Sequence, residues 1–142
     1  MAKTKMISAI FKEIEETAGR NAKIEKLQSY AKNEAFMQIL SAAFDSRVVF
    51  ELPEGDPPYN VPEDMVDNTG GLYKEVRKMY IFTKNKRSAE IHQIKRERIF
   101  IEMLESIHPD DAKLLLAVKN KKVPYKGITK KLVAEAFPGK FQ

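Results

Sequence analysis

The sequence contains no cysteine, no tryptophan and no long apolar run. Without cysteine, the chain has no disulfide framework, no thiol chemistry and no thiolate metal site, and a reducing cytosolic setting is favoured. No apolar run approaches the roughly 20 residues that a membrane-spanning helix needs. The apolar patch near the start is interrupted by Lys12 and followed by acids. This pattern is typical of an amphipathic helix rather than of a secretion signal.

The sequence also lacks the motifs on which most enzymes depend. It has no glycine-rich phosphate loop of the P-loop or dinucleotide type. Its two histidines, His92 and His108, have no carboxylate at metal-ligand spacing around both, and the clustered Glu13, Glu15 and Glu16 are typical of a solvated helix face. We therefore predict a protein that is not an enzyme and that needs no metal or cofactor.

Charge is what the chain has in abundance, and it is unevenly distributed. The 142 residues are 43% hydrophobic and 32% charged, which indicates one folded domain with a sizeable core. Residues 1–71 carry 8 basic and 12 acidic groups, a net charge of −4, whereas residues 72–142 carry 17 and 8, a net charge of +9. This asymmetry favours a half that binds polyanions beside an acidic half.

Apolar residues recur at helical spacing through most of the sequence, which predicts an all-α, compact multi-helix domain. An acidic half, residues 1–50, and a basic half, residues 72–142, are separated by a proline- and glycine-rich acidic connection, residues 51–71. The β-branched stretch 46–52 fits either a short extended piece or the end of a helix. The predicted helices are residues 6–19, 24–30, 36–44, 72–82, 88–107, 109–118 and 129–137.

Lysines are concentrated towards the end of the chain. From Lys113 through Lys131 there are seven lysines and no acid. One interpretation is a solvated face that keeps the protein in solution. Against it, four of the lysines are predicted to lie in a connection and not on a helix face mixed with glutamates: Lys119, Lys121, Lys122 and Lys126.

The residues around these lysines favour a phosphate-binding turn. Tyr125 can stack on a sugar, Gly127 lets the backbone approach a ligand, and Thr129 is predicted to begin a helix whose free N–H groups attract anions. A second basic cluster precedes another predicted helix start, at Ser88. Together they would hold a phosphodiester backbone at two points without reading bases. The predicted contact residues are Lys84, Lys86, Arg87, Ser88, Lys119, Lys121, Lys122, Tyr125, Lys126, Gly127, Thr129, Lys130 and Lys131.

Most of the sequence resembles one known type of domain. The stretches LYKEVRKMYIFTKNKRSAEIHQI and MLESIHPDDAKLLLAVKNKKVPYKGITKKLVAEAFPGKF resemble the second half of the N-terminal helical DNA-binding domain of ATP-dependent DNA ligases, particularly the tailed-phage type. The earlier helices are similar to the opening helices of those domains, so the likeness spans residues 7–141. The most specific part is the tail, whose pattern is occupied by Gly127, Ile128, Thr129, Leu132, Phe137, Pro138 and Gly139.

The resemblance implies a domain that grips the minor-groove backbone of duplex DNA through main-chain amides and basic side chains. The Lys-x-Asp-Gly motif that is adenylated in ligases does not occur in the sequence, so ligation is not expected of this polypeptide. The resemblance instead implies a phage protein that binds double-stranded DNA nonspecifically in the host cytoplasm. By position, the contacts would fall to Arg87, Ser88, Lys126, Gly127, Thr129, Lys130 and Lys131.

Protein binding is the alternative function. On this interpretation the chain is an interaction or virion-structural protein that uses the same scaffold to hold a phage or host protein. Its motivation is residues 51–67, which would repel DNA and would suit a basic protein surface, unless they are simply a solvated loop. This segment contains no base and six acids, namely Glu51, Glu54, Asp56, Glu63, Asp64 and Asp67.

Overall fold

Residues 6–53, 55–60 and 71–141 are described by the computed structural model. They contain no strand, only a single antiparallel bridge between Phe50 and Thr83, so the predicted all-α class is confirmed. In these ranges no helix is both long and apolar enough to cross a membrane. The helices of the described chain are α1 Ile7–Glu16, α2 Arg20–Ser29, α3 Glu34–Phe44, α4 Gly71–Glu75, a 3₁₀ helix Val76–Phe82, α5 Gln93–Ser106, α6 Pro109–Lys119 and α7 Lys130–Ala136.

One hydrophobic core joins the two halves of the chain. In α1, the buried residues Ile7, Ile10, Phe11 and Ile14 lie on one face because they are three or four positions apart. α1 and α3 of the first half both pack against α6 of the second, and α2 packs against α7. The acidic half and the basic half of the sequence therefore share one hydrophobic core.

The stretch 46–52 contains an extended piece and is not the end of a helix, since α3 ends before it. The Glu51 N–H donates to the Phe82 carbonyl at 2.7 Å, and the Lys84 N–H donates to the Val49 carbonyl at 2.8 Å. These bonds flank the bridge between Phe50 and Thr83, as in an antiparallel ribbon. The ribbon attaches the end of the acidic half to the segment that follows the 3₁₀ helix.

The predicted helix start at Ser88 is wrong, because α5 begins at Gln93. Ser88 is fully buried in a turn, where its hydroxyl donates to the Thr83 carbonyl at 2.5 Å. Its N–H donates to Oδ1 of Asn85 at 2.9 Å. Serine and asparagine side chains that bond to nearby backbone compete with helix formation, and here they hold residues 83–88 as a turn.

A buried arginine fixes this turn against α5. Only 3% of Arg96 is exposed, and its guanidinium donates to the carbonyls of Ile81 and Ser88, both at 2.8 Å. It also lies 3.5 Å from the carboxylate of Glu51. Because a buried cation needs such partners, Arg96 holds the 3₁₀ helix, the turn and residue 51 in one arrangement.

Candidate nucleic-acid interface

The turn between α6 and α7 has a fixed beginning. The Lys122 N–H donates to the Ala117 carbonyl at 2.9 Å, and the Lys121 N–H donates to the Val118 carbonyl at 2.8 Å. These two bonds form a Schellman motif, which places Lys121 in the left-handed region with φ 59°. Glycine is usual at this position, since a side chain there costs roughly 1–2 kcal/mol.

The side chain of Lys121 provides a reason for its unusual backbone, because its ammonium caps a different helix. Nζ donates to the carbonyls of Ala42, Asp45 and Val48 at 2.7–2.8 Å. These carbonyls lie at and beyond the end of α3, where backbone acceptors lack helical partners and attract a cation. Partial removal from water lowers the pKa of Lys121, nearby Asp45 opposes the shift, and Lys130 adds to it.

Lys119 also serves the fold. It is the last residue of α6 and not part of the connection, which corrects the predicted boundary. Only 6% of it is exposed, and Nζ donates to the Pro53 carbonyl at 2.8 Å and to Oδ1 of Asn120 at 3.0 Å. Two of the predicted contact lysines, Lys119 and Lys121, are therefore bonded to oxygens of the protein itself.

Tyr125 is partly enclosed as well. Its ring stacks on Phe11 of α1, with the ring centroids 5.7 Å apart and the planes 14° from parallel. Burial raises the pKa of Tyr125 to about 12, and the carboxylates of Asp110, Asp111 and Glu15 act in the same direction. One face of the ring predicted to stack on a sugar is thus covered by the core.

The end of the turn has the predicted local structure. Gly127 has a left-handed φ of 80°, and Thr129 is the N-cap of α7, with Oγ1 accepting the Leu132 N–H at 3.2 Å. The prediction that Thr129 begins this helix is confirmed. One amide of the turn already has an acidic partner, because the Lys126 N–H donates to the Glu15 carboxylate of α1.

Besides Lys121, four of the predicted contact lysines are exposed around the turn, and we call these four the lysine turn. Lys122 is the last residue of the Schellman motif, and it lines an open groove of about 760 Å³ together with residues 46, 48–50, 52 and 55. Lys126 precedes Gly127, and the remaining two lie in the first turn of α7. The members of the lysine turn are Lys122, Lys126, Lys130 and Lys131.

The second basic cluster, Lys84, Lys86 and Arg87, is exposed in the turn before α5. The Arg87 guanidinium carbon lies 3.9 Å from the centre of the Tyr80 ring, a stacking that leaves its N–H edge available. Ser88 lies beneath this cluster and is buried, so its side chain does not face solvent.

The structure brings the two clusters to the same extended segment. The backbone of Lys84 bonds to the Val49 carbonyl, and the ammonium of Lys121 bonds to the Val48 carbonyl. Lys122 lines the groove that Val48 and Val49 also line. The sequence carried no signal for this proximity, because it depends on backbone atoms about 70 residues away from Lys121.

Residues 10–125, most of the chain, match the model of one protein family. The family is described as a family of unknown function, DUF6433. The chain belongs to DUF6433. No curated protein matches it. The part of the DUF6433 protein that matches includes the extended segment and the start of the lysine turn, whereas Gly127 and α7 lie beyond it.

The sequence of the DUF6433 protein did not predict that one of its acids is buried. Asp111 in the first turn of α6 is fully buried, and its Oδ1 accepts the Ser8 N–H of α1 at 2.9 Å. In the part of the chain that the structure describes, Asp111 Oδ2 and Ser8 Oγ have no hydrogen-bond partner. Burial raises the pKa of Asp111, and its contact with Ser8 opposes the shift. Asp111 belongs to no metal-binding group of acids and histidines among the described residues.

Proposed function

We propose that this DUF6433 protein binds the sugar–phosphate backbone of double-stranded DNA without reading its sequence and without catalysing a reaction. The observation that carries the proposal is the exposed lysine turn on a backbone held at both ends. The Schellman motif fixes its beginning, and the Thr129 cap fixes its end. Lysines presented from a fixed backbone lose less freedom on binding a polyanion than lysines on a mobile tail.

The charge pattern supports the same proposal. The stretch from Lys113 to Lys131 contains no acid, and the second cluster approaches the same extended segment. Each phosphate that a lysine neutralises releases condensed counterions, so the logarithm of affinity falls by about 0.9 per logarithm of salt for each contact. Contact with roughly four to six phosphates would give strong binding at low salt and weak binding at high salt.

We further propose that the scaffold is of the kind found in the N-terminal DNA-binding domain of ATP-dependent DNA ligases, in a phage protein that acts in the host cytoplasm. The support is the sequence resemblance together with the geometry of the tail, where Gly127 is left-handed and Thr129 caps α7. In this proposal the buried Ser88 stabilises the turn before α5, and Arg87 makes the contact with the DNA backbone there.

A charge-reversal variant tests the DNA proposal. Changing the four residues of the lysine turn to glutamate removes their phosphate contacts while Lys121, which stabilises the fold, stays in place. We expect the log–log salt slope of binding to become less steep by about 3–4, and the affinity at about 50 mM salt to fall by more than tenfold. Fluorescence anisotropy with a labelled mixed-sequence duplex measures both, and circular dichroism checks folding.

The control carries the same change in charge at exposed positions outside both clusters. The positions are Lys12, Lys32, Lys74 and Lys95, each changed to glutamate. We expect this control to keep most of the slope and of the affinity. Equal losses in the two variants would mean that only net charge attracts DNA, and full affinity in the lysine-turn variant would contradict the proposal.

Docking of a protein partner on residues 51–67 remains the alternative proposal. Residues 54 and 61–67 lie outside the described chain, and with them four of the six acids. Of the other two, Glu51 lies near Arg96 and Asp56 is exposed. If nuclease treatment leaves one stoichiometric protein bound to the purified chain, that result would favour this alternative.

A further inference from the structure

The extended segment, residues 48–52, is paired along one edge, and its other edge is open at Phe50. The Glu51 N–H and the Val49 carbonyl bond to residues 82–84. In an antiparallel pair, alternate residues direct their N–H and C=O to opposite edges, so those of Phe50 point away from residues 82–84. Among the described residues, the Phe50 backbone groups make no hydrogen bond. Such an edge is a template for another strand.

The open edge faces the groove of about 760 Å³ beside the end of α6. The Val48 carbonyl lies on the same edge as the backbone groups of Phe50, and it accepts a hydrogen bond from Lys121, which lines the groove. Val49 also lines it and is 50% exposed. The groove thus combines unpaired backbone groups with an accessible apolar side chain.

The charge of the groove indicates what it accepts. Its described lining contains Lys119, Lys121 and Lys122 and no carboxylate. The Lys119 and Lys121 ammonium groups are hydrogen-bonded to oxygens of the protein, but they still attract anions in the groove. A second copy pairing through the same edge would bring two lysine-lined walls together, which like charges oppose.

We propose that this groove binds an acidic peptide segment in extended conformation, which adds a strand alongside Phe50, beyond the Val48 backbone groups that are already bonded. The peptide backbone would pair with the N–H and C=O of Phe50, an apolar side chain would cover Val49, and a carboxylate would face Lys122. A nucleic-acid backbone lacks the alternating donors and acceptors that complement Phe50. The site is additional to the proposed DNA contact, with which it shares Lys122.

The probe for this site is a synthetic peptide of alternating glutamate and valine with blocked ends. It is titrated at low salt into the full-length, isotope-labelled protein. We expect the largest amide chemical-shift changes at residues 48–52, and we expect hydrogen exchange of the Phe50 amide to slow by about tenfold or more at saturation. A peptide of alternating lysine and valine should not bind, because it meets the lysine-lined wall.

Variants separate this site from the DNA contact. Lys122→Glu and Val49→Asp should each weaken peptide binding by roughly fivefold, whereas Lys95→Glu, an equally exposed change of charge on α5, should leave it unchanged. Lys126→Glu should weaken binding to duplex DNA and leave the peptide affinity as it is. The failure of one proposal is thus distinguishable from the failure of the other.

A peptide N-methylated on the amides of its pairing edge tests the strand addition itself, and we expect it not to bind. Equal affinity of the methylated and parent peptides, or no protection of the Phe50 amide, would overturn the proposal. Protection of that amide by duplex DNA instead of the peptide would assign the groove to nucleic acid. A dimer that the peptide dissociates would assign it to a second copy.

Discussion

Lys121 combines a left-handed backbone with a side chain that stabilises a distant helix end. Lys121→Met removes the ammonium and leaves three carbonyls near the end of α3 without their donor. We expect the free energy of unfolding in urea to fall by about 1–2 kcal/mol, because the site is partly open to water. Lys121→Gly loses the same bonds but relieves the backbone, so it should be less destabilising by roughly 1 kcal/mol.

The neighbouring residue provides the control for this prediction. Lys122 makes no such bonds to α3, so Lys122→Met should change the free energy of unfolding by less than about 0.5 kcal/mol. If Lys121→Met were as stable as the wild type, the ammonium would contribute nothing to the fold, and the left-handed lysine would need another explanation.

Asp111 makes stability depend on pH. Because its folded-state pKa is raised above the ordinary 3.8, the stabilisation from its protonation is fully present below the unfolded-state pKa and is lost as pH rises through the folded-state value. Asp111→Asn keeps an acceptor for the Ser8 N–H, offers a donor to Ser8 Oγ and carries no charge. We expect this variant to unfold at higher urea than wild type at neutral pH, with the difference shrinking down to about pH 4.

Asp110→Asn is the control for Asp111, since Asp110 is exposed in the same turn of α6. It should not reproduce the pH-dependent difference between variant and wild type. If Asp111→Asn instead lowered stability at neutral pH, the ends of α1 and α6 would stabilise the buried carboxylate by more than its loss of hydration costs.

At the scale of elements, Lys23 of α2 couples the end of α1 to the lysine turn. Its ammonium donates to the carbonyls of Ile14 at 3.2 Å, Glu15 at 3.0 Å and Thr17. A Cβ added at Gly127 would lie 3.0 Å from Cε of this lysine. Glycine therefore fits position 127 better than any other residue for two reasons, the left-handed backbone and the closeness of the Lys23 side chain.

A substitution at Gly127 measures this coupling. We expect Gly127→Ala to lower the free energy of unfolding by about 2 kcal/mol, through backbone strain and displacement of the Lys23 side chain. Gly139→Ala, with φ 74° and nothing near its Cβ, should show the strain alone, about 1 kcal/mol. In a Lys23→Ala background the cost at residue 127 should fall to that level, and an unchanged cost would mean that the two residues are not coupled.

At the scale of the whole molecule, the shared core predicts how the protein unfolds. α1, α2 and α3 of the acidic half pack against α6 and α7 of the basic half, so neither half keeps its core alone. We expect far-ultraviolet circular dichroism and the fluorescence of the tyrosines, in a chain without tryptophan, to report one coincident urea transition. Two separated transitions, or a folded fragment of residues 72–142, would contradict a single core.

Local rules predicted the elements whose signals are local. The apolar spacing of α1, the start of α6 at Pro109 and the cap of α7 at Thr129 agree with the structure, since each depends on residues within one or two turns. The start of α5 was predicted wrongly, at Ser88 instead of Gln93. Asn85 and Ser88 bond to the backbone of their own turn, and the buried Arg96 collects carbonyl groups around it.

Apolar spacing and composition are enough to predict the helical class, most of the helices and the uneven distribution of charge, because these properties do not depend on distant contacts. Folding settles which lysines bond to carbonyls of the protein itself. Lys119 and Lys121 reach the carbonyls of Pro53 and Ala42, far away along the chain, whereas Lys122 does not. Folding also leaves the backbone groups of Phe50 without partners among the described residues, because the segment that it brings beside residues 49–51 bonds only along their other edge.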